Sequence, residues 1–266
     1  MPEHAAVITA TAARYRRVDH SLYIGVALFV IVISVAGFAP SIVDQSRRNA
    51  PMTLLVGAHG IVAASWLFLF LLQSFLVATG RTAAHRRLGR MGPVLAVTMI
   101  AVGVLMLRGD PDGSSDLSGD LARALNPPGA PRLSPEEAVP GVLFPLAGFL
   151  TFGVLVALGL WYRRRPEIHK RLMFFALFPL VGEPVIHLIG YLAGHWPALQ
   201  GTAGIIATPA SLLLLSVGAI HDKLSQGRIH PVSLWTPVLL LVWQNALTLV
   251  VFPSAVWREF AVWLAR

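Results

Sequence analysis

Three side chains of metal-ligand type stand in stretches otherwise almost free of charge: His59, Glu183 and His187. Glu183 and His187 are four residues apart, so a helix places them on one face. Two imidazoles and a carboxylate suit a divalent first-row metal. The two imidazoles alone suit a haem b, with Gly57 and Gly60 leaving room beside His59. His59 and His187 are therefore candidate cofactor-binding residues. His59, Glu183 and His187 together are a candidate metal set, with Glu183 as third ligand or as proton acceptor. The set assembles only if the two stretches that carry it are neighbours. Each residue also has a plainer reading. A lone His in apolar surroundings is often an interhelical hydrogen-bond partner worth about 0.6 kcal/mol, and Glu183 with His187 can be a mutual polar pair.

Glu183 sits in the run Pro179-Leu180-Val181-Gly182-Glu183-Pro184. Two prolines and a glycine predict a kinked helix, with the carbonyls of Phe175 and Leu180 deprived of their N–H partners. Such interruptions are tolerated at membrane depth only where they are packed in protein or line a cavity. Gln73, Gln244 and Asn245 either extend a polar lining or make structural bonds. His85 and His169 sit beside Arg or Lys at the ends of apolar runs. His169 and His187 lie on one helical stripe, which would put one imidazole near each membrane face, as a transmembrane electron path needs. The alternative is that His85 and His169 are interface residues touching phosphates and helix N-termini.

The elements that must position these residues are membrane spans. Of the 266 residues, 55% are hydrophobic and only 13% charged, where a soluble domain carries about 25% charged residues. This composition excludes a soluble globular enzyme and a disordered chain. The absence of cysteine excludes disulfides and thiolate-held metal or iron–sulfur clusters. The only lysines are Lys170 and Lys223, neither placed for a retinal Schiff base. A phosphate-binding glycine loop, H-E-x-x-H and G-x-S-x-G are all missing. A membrane helix needs about 20 mostly apolar residues. Seven stretches qualify: 21–43, 51–79, 89–107, 138–162, 168–192, 203–220 and 232–252. The expected fold is all-α, a single integral membrane domain over 1–266, with about seven transmembrane helices around a central four-helix bundle.

The larger share of the Lys and Arg residues falls in Arg14 to Arg17, Arg81 to Arg90, Arg163 to Arg171 and Lys223 to Arg228. The positive-inside rule then puts the N-terminus in the cytoplasm and the C-terminus outside. The basic residues are expected to meet lipid head groups, so the net charge of +8 implies the lipid bilayer as partner and no nucleic acid. The long loop 109–137 is then external. It reads as a solvated acidic loop with Asp110, Asp112, Asp116, Asp120, Glu136 and Glu137, and with a short helix near Leu121 to Leu125. The tail 254–266 reads as an interfacial amphipathic helix, with Trp257 and Trp263 as anchors in the head-group belt.

An internal repeat is visible: Gly80-Arg81-Thr82-Ala83-Ala84-His85-Arg86-Arg87-Leu88 resembles Arg164-Arg165-Pro166-Glu167-Ile168-His169-Lys170-Arg171-Leu172. Spans two–three and four–five then form two copies of one helical hairpin. These motifs, with Ala36-Gly37-Phe38-Ala39-Pro40, His59-Gly60, Trp66, Gln73 and the His85-Arg86-Arg87-Leu88-Gly89 run, resemble an uncharacterised bacterial multi-span membrane protein family over about the first 190 residues. The resemblance implies membership and a bacterial inner (plasma) membrane, and no activity. A weaker similarity is to the b-type di-haem transmembrane cytochromes, although span four here has no histidine. The functional expectation is a membrane-embedded redox protein binding haem or a divalent metal, with a redox partner or a small-molecule ligand. The alternatives are a transporter or ligand-binding protein working through Glu183 at a broken helix, and a structural membrane subunit without catalysis.

Overall fold

A computed structural model describes residues 2–48, 51–109, 118–130, 137 and 139–264, with side chains from Ser21 onward. Among the described residues 85% are helical and none lies in a strand. Seven helices are long and apolar enough to cross a membrane.

The first, α1 (Pro2–Val43), begins well before its apolar stretch. Its C-terminal carbonyls are closed by Arg48, which donates from Nε to Ser41 O (2.7 Å) and from Nη2 to Ile42 O. The second, α2 (Leu54–Ala78), starts on Thr53, whose hydroxyl accepts from Val56 N. After a turn at Gly80, which has positive φ, α3 (Thr82–Leu88) runs through a short 3-10 turn into α4 (Gly92–Gly109). The third span therefore begins at Thr82 rather than at 89. α5 (Asp120–Leu125) lies in the long loop. α6 (Leu143–Trp161) is the fourth span.

The fifth span is broken, as its prolines demand. α7 (Pro166–Phe175) ends, a 3-10 turn covers Phe178–Leu180, and α8 (Gly182–Ala193) resumes. α9 (Ala203–Gln226) is long and apolar enough to cross and runs six residues past the expected end. α10 (Pro231–Ala246) ends in a π-turn over Leu247–Val251, and α11 (Ala255–Leu264) closes the described chain.

The main core holds Ala27 and Val30 of α1, Trp66 and Phe70 of α2, Met99 of α4, Phe152 and Val156 of α6, and Phe174 to Leu177. α1 packs between α2 and α8, α2 packs on α4, α4 on α6, and α6 on α7, so spans one to five close a ring in which α1 stands between spans two and five. α9 and α10 each give this core one buried residue, Leu215 and Leu240. Span five is half buried and span seven only 11% buried, so lipid-facing leucines and valines are expected on the outer spans. α1 and α8 approach closely because Gly37 has no Cβ; one there would overlap the Pro184 carbonyl.

Two expectations are corrected at the end of the bundle that carries the long loop. Asp120 is fully buried, not solvated. Ser118 Oγ donates to it (2.6 Å) and Arg123 Nη1 pairs with it (2.5 Å) while also donating to Gly190 O (3.1 Å). The reason is α5, which docks on α8 where Gly190 lets the Asp120 backbone in. Asp110, Asp112, Asp116 and Glu136 lie outside the described residues. Trp257 is not a free belt anchor either. It is 7% exposed and its indole donates to Pro140 O (3.0 Å), pinning α11 to the start of span four. Trp263, Val256 and Phe260 form the exposed face.

Candidate functional site

α2 presents His59 half-buried, with its ring edge-on to Phe149 of α6 at 5.9 Å. Phe149 reaches that position because Gly103 of α4 leaves the ring its space. Nδ1 of His59 is buried without a hydrogen-bond partner. Gly60 beside it and Gly182 beside Glu183 face open space. Glu183, in the first turn of α8, is exposed at the break of span five, and its charge acts on His59. The positive end of the α8 dipole favours the carboxylate there. Pro179 and Pro184, on the same interrupted stretch, have no N–H to give the carbonyls of Phe175 and Leu180.

His187, one turn further along α8, is 7% exposed. It packs on Phe38 of α1 at 4.9 Å, and its Nδ1 also lacks a partner. Trp66, two turns along α2 from His59, packs edge-on to Phe152 at 4.8 Å with an unpartnered indole N–H. A buried ring nitrogen left unpaired costs about 1–3 kcal/mol. Three of them in the apolar interior therefore mark a region built with polar capacity to spare.

The structure thus brings His59 and Glu183 into one electrostatic field and sets His187 against α1. Among the described residues no three His, Asp or Glu side chains come together as a group that could hold a metal ion. The other polar candidates divide. Gln73 is engaged with His85 of α3 and with Gly89 N. Gln244 and Asn245 are exposed on α10, where Asn245 Nδ2 donates to Leu241 O (2.8 Å). His195 is exposed in its loop, its Nδ1 3.1 Å from Tyr191 O.

A second polar centre, at the Arg-rich end, was not anticipated. Arg171 of α7 is 3% exposed and Asp222 of α9 is 1% exposed. Arg171 donates from Nη2 and Nε to the two Asp222 oxygens, from Nε to Ser233 Oγ (3.1 Å), and from Nη1 to Glu167 Oε2 (2.6 Å) and Glu167 O (2.8 Å). Asp222 also accepts from Gln226 Nε2 (3.2 Å) and His230 N (3.1 Å). The network ties α7, α9 and the start of α10. Arg171 is therefore no head-group contact, because its charge is matched by a buried carboxylate. The available signal was the pairing of Glu167 and Asp222 with Arg171 at corresponding span ends; reading Arg171 only as a topology charge concealed it.

His230 caps α10, its Nδ1 accepting from Val232 N (3.2 Å). Burial first, and then the nearby Arg171 charge, push its pKa below the ordinary histidine value. Folded His230 therefore binds a proton less readily than unfolded His230. Its contribution is complete above about pH 6.5 and is lost as pH falls below that value. Melting of the detergent-purified chain should shift down between pH 8 and pH 5. His230→Asn keeps a capping side chain and should flatten that profile; an unchanged slope would count against the assignment.

Comparison with protein-family models, with curated proteins and with solved structures finds no match for this chain.

Proposed function

We propose that the chain is an integral protein of the bacterial inner membrane, N-terminus cytoplasmic and C-terminus outside, that binds a proton or small cation at Glu183 and His59. The observation that carries this reading is an exposed carboxylate at the interruption of a spanning helix, acting electrostatically on an imidazole of another span. An ionised side chain at span depth costs about 2.5–3.5 kcal/mol or more. That cost makes Glu183 a working group rather than a packing one. The carboxylate attracts the cation, the carbonyls of Phe175 and Leu180 add oxygen donors along the same break, and His59 accepts or returns a proton.

The test is ion flux in proteoliposomes, driven by a potassium diffusion potential and read with an internal pH dye. Glu183→Gln should lower potential-driven uptake at least tenfold relative to the unaltered chain. Equal flux through both would overturn the reading. A second reading is a redox centre in which His59 and His187 hold haem or a divalent metal, with Glu183 as third ligand or proton acceptor. The unpartnered Nδ1 atoms of both histidines favour it. A Soret band or one equivalent of metal in the same preparation, removed by His59→Ala, would put this reading in first place.

A further inference from the structure

Each Arg-rich turn supplies one histidine at the fourth residue of the helix it starts: His85 in α3 and His169 in α7. These are matching positions of the two repeat copies, and the fold brings the two rings together with their planes nearly perpendicular. Their ring centres are 6.3 Å apart and the planes cross at 77°. Two imidazoles bound trans to one ion, as in tetragonal copper or nickel sites, have ring centres roughly 6 Å apart for metal–nitrogen bonds of about 2 Å, and a tetrahedral zinc would draw them roughly 1 Å closer.

The second nitrogen of each ring is already engaged. His169 Nδ1 lies 2.7 Å from Gly159 O. A carbonyl only accepts, so the proton sits on Nδ1 and the lone pair on Nε2, which is the ligating tautomer. On His85 the partner is Gln73 of α2. With its oxygen on Gly89 N (2.8 Å), the Gln73 carboxamide donates to His85 Nδ1 (2.5 Å) and His85 O (3.1 Å). An imidazole that accepts on Nδ1 carries its proton on Nε2, so an ion bound there must displace that proton; a half-turn of the carboxamide, which gives up the Gly89 N–H bond, would offer its oxygen to Nδ1–H and leave Nε2 free. Metal-binding histidines characteristically carry such a partner on the non-ligating nitrogen. Both rings are half-buried, which leaves room for water to complete a coordination shell.

We infer that His85 and His169 form a two-imidazole site for a late first-row transition-metal ion at the Arg-rich end of the bundle. Neutral nitrogen donors select copper, nickel or zinc over magnesium and calcium. The Arg86 charge acts on His85 and weakens the site for a bare cation, so binding is reversible rather than permanent. The ion would join the two helical hairpins at their turns. The site is independent of the Glu183–His59 reading.

The test uses the full chain purified in detergent, stripped with a chelator and titrated with Zn2+ at pH 7.5 by calorimetry, with Cu2+ spectra as a check on nitrogen ligation. One equivalent should bind. His85→Ala and His169→Ala should each weaken it at least tenfold, while His195→Ala leaves it unchanged. Gln73→Glu should tighten binding tenfold or more, because a carboxylate holds the proton on Nδ1 and still accepts from Gly89 N. This gain requires no variant that removes a ring. Absence of binding to the unaltered chain, binding that survives both alanine variants, or no gain in Gln73→Glu would overturn the assignment.

Discussion

Arg171→Met is expected to destabilise the protein by about 3–5 kcal/mol, the cost of breaking a buried ion pair on one side only. Asp222 is 1% exposed. Without the guanidinium its carboxylate keeps only the donors from Ser233, Gln226 and the His230 backbone. That leaves a full negative charge uncompensated at the point where α7, α9 and α10 meet. The methionine also abandons Glu167 and Ser233. The measurement is equilibrium unfolding in mixed micelles. The companion variant Arg171→Met with Asp222→Leu should recover most of the loss, because two apolar side chains of similar volume need no counter-charge. A single variant within about 0.5 kcal/mol of the unaltered chain, the ordinary scatter of surface substitutions, would show that the pair contributes nothing to folding.

Gly190→Val should be the next most damaging substitution. A Cβ at 190 would overlap the Asp120 backbone carbonyl. Backbone cannot swing aside as a side chain does, so α5 must lift from α8. Overpacking of this kind costs about 1–3 kcal/mol, and here it also uncovers Asp120 with its Ser118 and Arg123 partners. Faster amide exchange and proteolysis confined to 118–126 would report the release. Gly182→Ala, where a Cβ meets open space, is the matched control and should leave both readouts unchanged. Protection at 118–126 that persists in Gly190→Val would mean that α5 is not held by this contact.

The readings that succeeded from sequence were those that depend on local run length and local chemistry. The break in span five follows from Pro179, Gly182 and Pro184, since each proline withdraws an N–H from the helix ladder. The repeat places His85 and His169 in equivalent turns, and the short helix expected near Leu121 to Leu125 is present as α5. The failures share one cause. For Arg171, Asp120 and Trp257 the sequence predicts water or head groups, because a charged or amphipathic residue at a span end usually goes there. Each is buried against a partner distant in the chain: Asp222, Gly190 and Pro140.

Composition and the length of apolar runs by themselves determined an all-helical membrane protein with seven spans. Every backbone polar group in lipid must be satisfied within its own helix, and about 20 residues suffice to cross. Only the tertiary structure decided which ionisable groups meet. It brought the Glu183 charge within reach of His59 and left His187 against Phe38, closed Arg171 onto Asp222, and set His85 near His169. Those meetings depend on how each helix is rotated about its axis. Small residues such as Gly37, Gly103 and Gly190 govern that rotation by admitting one particular neighbour. Hydropathy carries no record of which neighbour that is.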